Sequence, residues 1–201
     1  LKCRKTPKHQ TTPGGVRVFQ HLSKSKFLHV EDTLVIGKAR LFAGTYQQGS
    51  VMRQHAHHFI DMSDARVVFS AIARAEQGYK YTEYKGSPPS TRELNQRNGN
   101  GAISRVLSVA IKGASVYIEL KTGPGKLTPT GAITPHGKPD VAVNVSFKLH
   151  EARRLAETIL AYMHAWDVLR MLANQQGVSQ PPSYLLVPQA RGAATNAAVP
   201  A

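Results

Sequence analysis

Residues 141–172 read VAVNVSFKLHEARRLAETILAYMHAWDVLRML, and this stretch decides the fold class. Val141, Val143, Val145 and Phe147 alternate with Ala142, Asn144, Ser146 and Lys148, the period of a strand with one buried and one wet face. The period then changes. Leu155, Ile159, Tyr162, Trp166 and Leu169 recur every three or four residues, which predicts a helix over 150–176 with one buried stripe. A strand running straight into a long helix calls for an α+β protein.

Working backwards, 103–112 and 115–121 carry the same two-residue alternation, with Gly113 supplying a tight turn between them. Val116, Ile118 and Leu120 belong to one face, and Tyr117, Glu119 and Lys121 to the other. A further strand is expected at 79–85. The first half has the same order: strands at 16–21, 27–30, 33–42 and 57–62, then Ser63 as an N-cap and a helix over 64–75 that Gly78 stops. Asp64-Ala65-Arg66 and Glu151-Ala152-Arg153 each follow a strand, which suggests a duplicated unit of strands followed by a helix. Loops are expected at 86–100 and 122–139, where Gly, Pro, Asn, Thr and Ser accumulate.

The length of 201 residues suits one folded domain with tails. We place a basic tail at 1–15, the domain at 16–176 and a Pro/Ala-rich tail at 177–201, in which Tyr184, Leu185, Leu186 and Val187 form a short apolar patch. Charge balance is the abnormal feature. Twenty-six Lys and Arg against 12 Asp and Glu give a formal net charge of +14, which attracts polyanions. No stretch approaches the roughly 20 apolar residues of a membrane span, so a membrane partner is not expected. Cys3 is the only cysteine, which excludes an intrachain disulfide and a multi-cysteine zinc site. The chain starts at Leu1, as expected of a processed form. Seven Lys or Arg and no acid precede Glu31, the composition of a solvated basic arm or of a segment just beyond an organellar targeting peptide.

Cationic and aromatic residues on strand faces are the candidate binding residues, since phosphates are gripped by charge and bases by stacking. In the first half these are Lys24, Lys26, Lys38 and Arg40. In the second they are Lys80, Tyr81, Lys85, Arg105, Lys112, Tyr117, Lys121, Asn144 and Lys148, with Tyr79 and Tyr84 nearby. An aromatic share of 7% predicts that phosphate contacts outweigh stacking. No catalytic chemistry is expected. Gly123-Pro124-Gly125-Lys126 lacks the Walker spacing, because Leu120 and Leu127 stand where a Gly and a Ser or Thr belong. His55, His57 and His58 lack an identifiable further metal ligand, so neither a metal nor another cofactor is expected.

The element order, the stretches at 105–123 and 141–172, and Ile36-Gly37-Lys38-Ala39 resemble the Whirly fold, and most closely the kinetoplastid mitochondrial RNA-binding proteins. Ile36 stands where the plant Whirly motif has its first lysine. The resemblance implies two antiparallel β-sheets packed with two helices, and assembly through helix contacts into a homo- or heterotetramer of related subunits. It also implies a mitochondrial matrix location and single strands held across the sheets. The function implied is guide-RNA binding through the phosphate backbone, bases outward, promoting RNA annealing in RNA editing. A structural subunit of a mitochondrial ribonucleoprotein or ribosome, and a single-stranded DNA binder of the Whirly type, are the alternatives.

Overall fold

The computed structural model describes residues 16–47, 52–88 and 101–175. Both expected tails, including the apolar patch at 184–187, lie outside the described residues, as does most of the loop expected at 86–100.

The chain forms two antiparallel sheets, each followed by a helix. Sheet 1 is a meander of β1 (Arg17–Leu22), β2 (Lys26–Thr33), β3 (Lys38–Thr45) and β4 (Gln54–Asp61), leading into α1 (Met62–Ala73). Sheet 2 contains β5 (Lys80–Ser87), β6 (Ile103–Lys112), β7 (Ser115–Leu127), β8 (Ile133–Pro135) and β9 (Val141–Lys148), leading into α2 (Leu149–Gln175). Because β7 pairs with β6 and with β9, the path β5-β6-β7-β9 repeats the four-strand meander of sheet 1. Strand β8 is a short addition on the far arm of β7.

Three local readings are corrected. The strand expected over 33–42 is broken by a 3₁₀ turn at Leu34–Ile36, after which Gly37 reverses the chain at φ 71°. Glycine tolerates that left-handed conformation at little cost. Residues 122–127 continue β7 instead of forming a loop, and 133–135 pair with them. Asp61, not Ser63, caps α1, and its carboxylate makes no cap hydrogen bond because it is engaged by Lys38 and Lys85.

The acid-Ala-Arg trios occupy matching places. Ala65 and Ala152 are both fully buried in the first turns of their helices. The side chain of Glu151 accepts a hydrogen bond from the Lys148 backbone N–H at 2.9 Å, half of a capping box, which holds its carboxyl below the usual carboxylate range. Arg66 on α1 pairs with Asp167 on α2, tying the packed helices together. One apolar core joins all layers: Leu28, Leu41 and Ile60 from sheet 1, Leu107, Ile118, Val145 and Phe147 from sheet 2, and Phe69, Ile72, Leu155, Ile159 and Trp166 from the helices. Each such side chain contributes about 1.5–3 kcal/mol by leaving water. No helix among the described residues is long and apolar enough to cross a membrane.

Candidate nucleic-acid interface

Directly opposed residues in antiparallel strands share a face, so the register assigns every side chain of sheet 2. The apolar set Leu107, Val109, Ile111, Val116, Ile118, Leu120, Val143, Val145 and Phe147 faces the core. The opposite face carries Lys80, Thr82 and Tyr84 from β5, Ser108 and Lys112 from β6, Tyr117, Glu119 and Lys121 from β7, and Asn144, Ser146 and Lys148 from β9. Lys80, Tyr84, Lys112, Asn144, Ser146 and Lys148 are exposed.

This face is cationic. Its one acid, Glu119, pairs with Lys121 at 2.7 Å. Lys80, Lys112 and Lys148 have no carboxylate within ion-pair distance among the described residues. The ammonium of Lys112 lies 6.0 Å from the Tyr117 ring centroid, the outer limit of a cation–π contact.

Six of the sequence-selected residues thus share one surface: Lys80, Lys112, Tyr117, Lys121, Asn144 and Lys148. Four others face inward, where the sheets meet. Tyr81, Lys85 and Arg105 belong to the core-side register of β5 and β6. The Lys85 ammonium donates to the Phe59 carbonyl at 2.8 Å and pairs with Asp61 at 2.5 Å and Glu83 at 2.9 Å. Burial pulls its pKa down, but these two carboxylates outweigh burial and raise it. Arg105 donates to Ser87 Oγ at 2.7 Å. Burial, reinforced by the negative charge of Glu83, raises the Tyr81 phenol. Lys26 is likewise on the inner face, and its ammonium donates to the Asn144 carbonyl at 2.8 Å, bridging the two sheets. These are ties of the fold, not open contacts.

The outer face of sheet 1 holds Lys38 and Arg40, as their alternation predicts, but both are paired: Lys38 with Asp61, and Arg40 with Glu31 at 2.7 Å. What the sequence reading missed is the company they keep. Phe27 and His29 of β2, Phe42 of β3, and His55, His57 and Phe59 of β4 all share that face. Centroid separations are 5.4 Å for Phe27–Phe42, 4.7 Å for Phe27–His29 and 5.6 Å for Phe42–His55, and Tyr46 stacks on Phe27 at 6.4 Å. The Arg40 guanidinium bridges the set, 5.1 Å from the Phe42 ring and 5.9 Å from that of Phe59. The signal was present as alternate-position aromatics, Phe27-x-His29 and His55-x-His57-x-Phe59. Beyond the end of this row, a cavity is lined by Lys24, Ser25, Thr45, Tyr46, Gln47 and Arg53.

His58 points the other way, its Nε2 2.8 Å from Glu83, so the three neighbouring histidines do not converge on one point. Desolvation, aided by the charges of Arg105 and Arg40, lowers His57 to about 4, and desolvation with Arg17 lowers His29 to about 4. Both imidazoles are neutral at neutral pH. Gly123–Lys126, the stretch that superficially suggests a phosphate loop, is extended strand within β7 and opens no helix.

Comparisons with known proteins give no independent indication: no family model, no curated protein and no solved structure matches this chain.

Proposed function

We propose that this protein binds single-stranded RNA by its phosphate backbone along the outer face of sheet 2 and promotes annealing of complementary strands, as a guide-RNA-binding protein of mitochondrial RNA editing and processing. One observation carries the reading. A net charge of +14 is matched by an open strand face on which, among the described residues, Lys80, Lys112 and Lys148 have no ion-pair partner and the one carboxylate is neutralised by Lys121. Lysines spaced across neighbouring strands suit a flexible single strand, whose condensed counterions they displace. Neutralising phosphates lowers the repulsion between two approaching strands, which is the physical basis of annealing. No metal or catalytic group is assigned a role.

A second, apolar surface supports assembly. Val67 on α1 and Val168, Met171 and Leu172 on α2 are each at least half exposed, on the two helices that pack together. Val168, Met171 and Leu172, spaced three and four residues apart along α2, form an exposed aliphatic strip of the kind that favours association with another copy or a related subunit.

The test is the rate at which two complementary RNAs anneal with and without protein at low salt. Acceleration that fades as salt rises is expected; none at low salt counts against the proposal. Competition between RNA and DNA of equal sequence separates an RNA role from single-stranded DNA binding. A structural ribonucleoprotein subunit would show no affinity for free RNA.

A further inference from the structure

The outer face of sheet 1 has a chemistry different from the lysine face of sheet 2. Its β2, β3 and β4 positions are Phe27, His29, Glu31, Thr33, Lys38, Arg40, Phe42, Gly44, His55, His57, Phe59 and Asp61. None of these is Leu, Ile, Val or Met; at the edge of the face β1 adds Arg17, Gln20 and one exposed aliphatic side chain, Leu22, opposite Phe27. Protein-docking surfaces mix aliphatic and aromatic side chains, whereas a surface dominated by rings and cations offers flat π faces and positive charge. Both acids are already neutralised, Glu31 by Arg40 and Asp61 by Lys38 and Lys85.

The rings are also held in place. The Arg40 guanidinium lies against both Phe42 and Phe59 while its own charge is fixed by Glu31, and Phe42 and Phe59 remain partly exposed. Among the described residues, two polar atoms at this face are buried without a hydrogen-bond partner: Nδ1 of His29, a residue only 9% exposed, and Nε of Arg40. Unpaired buried donors and acceptors are costly and call for a missing partner. From Arg40 to Tyr46 the row extends about 20 Å at strand spacing, and it ends at the Lys24 and Arg53 cavity, where phosphates would meet positive charge.

Resting on the nucleic-acid reading above, the geometry points to a base-stacking platform on the outer face of sheet 1, where unpaired bases of a single strand lie on Phe42 and Phe59 and their phosphates run toward Lys24 and Arg53. The protein then has two nucleic-acid surfaces: a lysine face indifferent to bases, and a ring face that requires them unpaired. Double-stranded RNA cannot use the second, because its bases are stacked on one another.

The experiment compares two probes of equal length and charge, an oligoadenylate and an abasic sugar-phosphate oligomer, on wild type, Phe42→Leu/Phe59→Leu and Phe42→Tyr/Phe59→Tyr. Leucine keeps the apolar volume and removes the π face, and tyrosine restores it. Stacking on an aromatic side chain is worth about fivefold or more in affinity per base. Wild type and the tyrosine variant should therefore prefer oligoadenylate by at least about fivefold, and the leucine variant should lose that preference while binding the abasic oligomer as wild type does. Equal wild-type affinity for both probes, or a leucine variant that loses both equally, overturns the platform and leaves the phosphate reading standing. Absence of binding to either probe at low salt overturns both.

Discussion

The ring of Phe27 lies over Gly44, the residue directly opposite it on β3: a Cβ placed on the glycine would sit 2.6 Å from two ring carbons and 2.8 Å from the Gln54 carbonyl oxygen. The missing side chain is what lets the ring lie flat on the sheet and meet Phe42, His29 and Tyr46. Gly44→Ala should destabilise the protein by about 1–3 kcal/mol, as over-packing does. Phe27→Leu in the same chain should relieve only part of that cost, because the carbonyl is backbone and cannot move aside. Urea unfolding of the two single variants and the double variant measures both quantities.

Lysines of the two kinds should separate cleanly. Lys112→Ala and Lys148→Ala remove exposed charges with no ion pair among the described residues, so stability should change by less than about 0.5 kcal/mol. Each should reduce the slope of log affinity against log salt by about 0.7 on single-stranded RNA. Lys26→Ala and Lys85→Ala should do the reverse, since one removes the bridge to the Asn144 carbonyl and the other leaves Asp61 and Glu83 with fewer partners. A salt titration beside a thermal melt distinguishes the pairs; an unchanged slope in Lys112→Ala/Lys148→Ala would remove sheet 2 from the interface.

The same contrast explains what could be read from the sequence. Strands β6, β7 and β9 alternate apolar and polar residues, so Lys112, Tyr117, Lys121, Asn144 and Lys148 could be assigned to the wet face without coordinates. Strand β5 reads KYTEYKGS and has polar groups on both faces. Nothing local says that Tyr81 and Lys85 turn inward. That is decided by Asp61, 24 residues earlier, and by His58 opposite Glu83. Lys26 is fixed by a carbonyl 118 residues away. The ring face was hidden for a different cause: a small number of aromatics, 7% of the chain, is gathered by pairing onto one face, and composition carries no record of pairing.

The exposed strip on the helices gives a prediction about assembly. Met171 is 64% and Leu172 50% exposed, beside Val168 at 55%. Exposed positions tolerate charge in an isolated chain, so Val168→Asp/Met171→Asp should leave the thermal midpoint of a monomer nearly unchanged. If the strip joins subunits, light scattering should show wild type at a multiple of the chain mass and the variant at the chain mass. A wild-type protein that scatters as a monomer with and without RNA would leave the strip without a subunit partner.

Acid should destabilise the protein through sheet 1. His29 and His57 are held at about 4 in the folded protein, against 6.5 when exposed, so between those values the unfolded chain binds protons that the folded chain refuses. Stability therefore rises with pH across that window; it is fully present above about 6.5 and is lost as pH falls toward 4. His21 and His58 are lowered chiefly by burial as well, and they add in the same direction. His57 is partly exposed and more open to solvent screening than His29, which is 9% exposed, so His29 is the residue to change. His29→Gln should flatten the fall in melting temperature between pH 6.5 and 4.5. Bound RNA should flatten it too, because a phosphate near these rings favours the imidazolium and raises the folded-state pKa toward 6.5. A melt series at four pH values, with and without oligoadenylate, reads both effects, and a wild-type midpoint indifferent to pH over this interval would show that neither imidazole is desolvated.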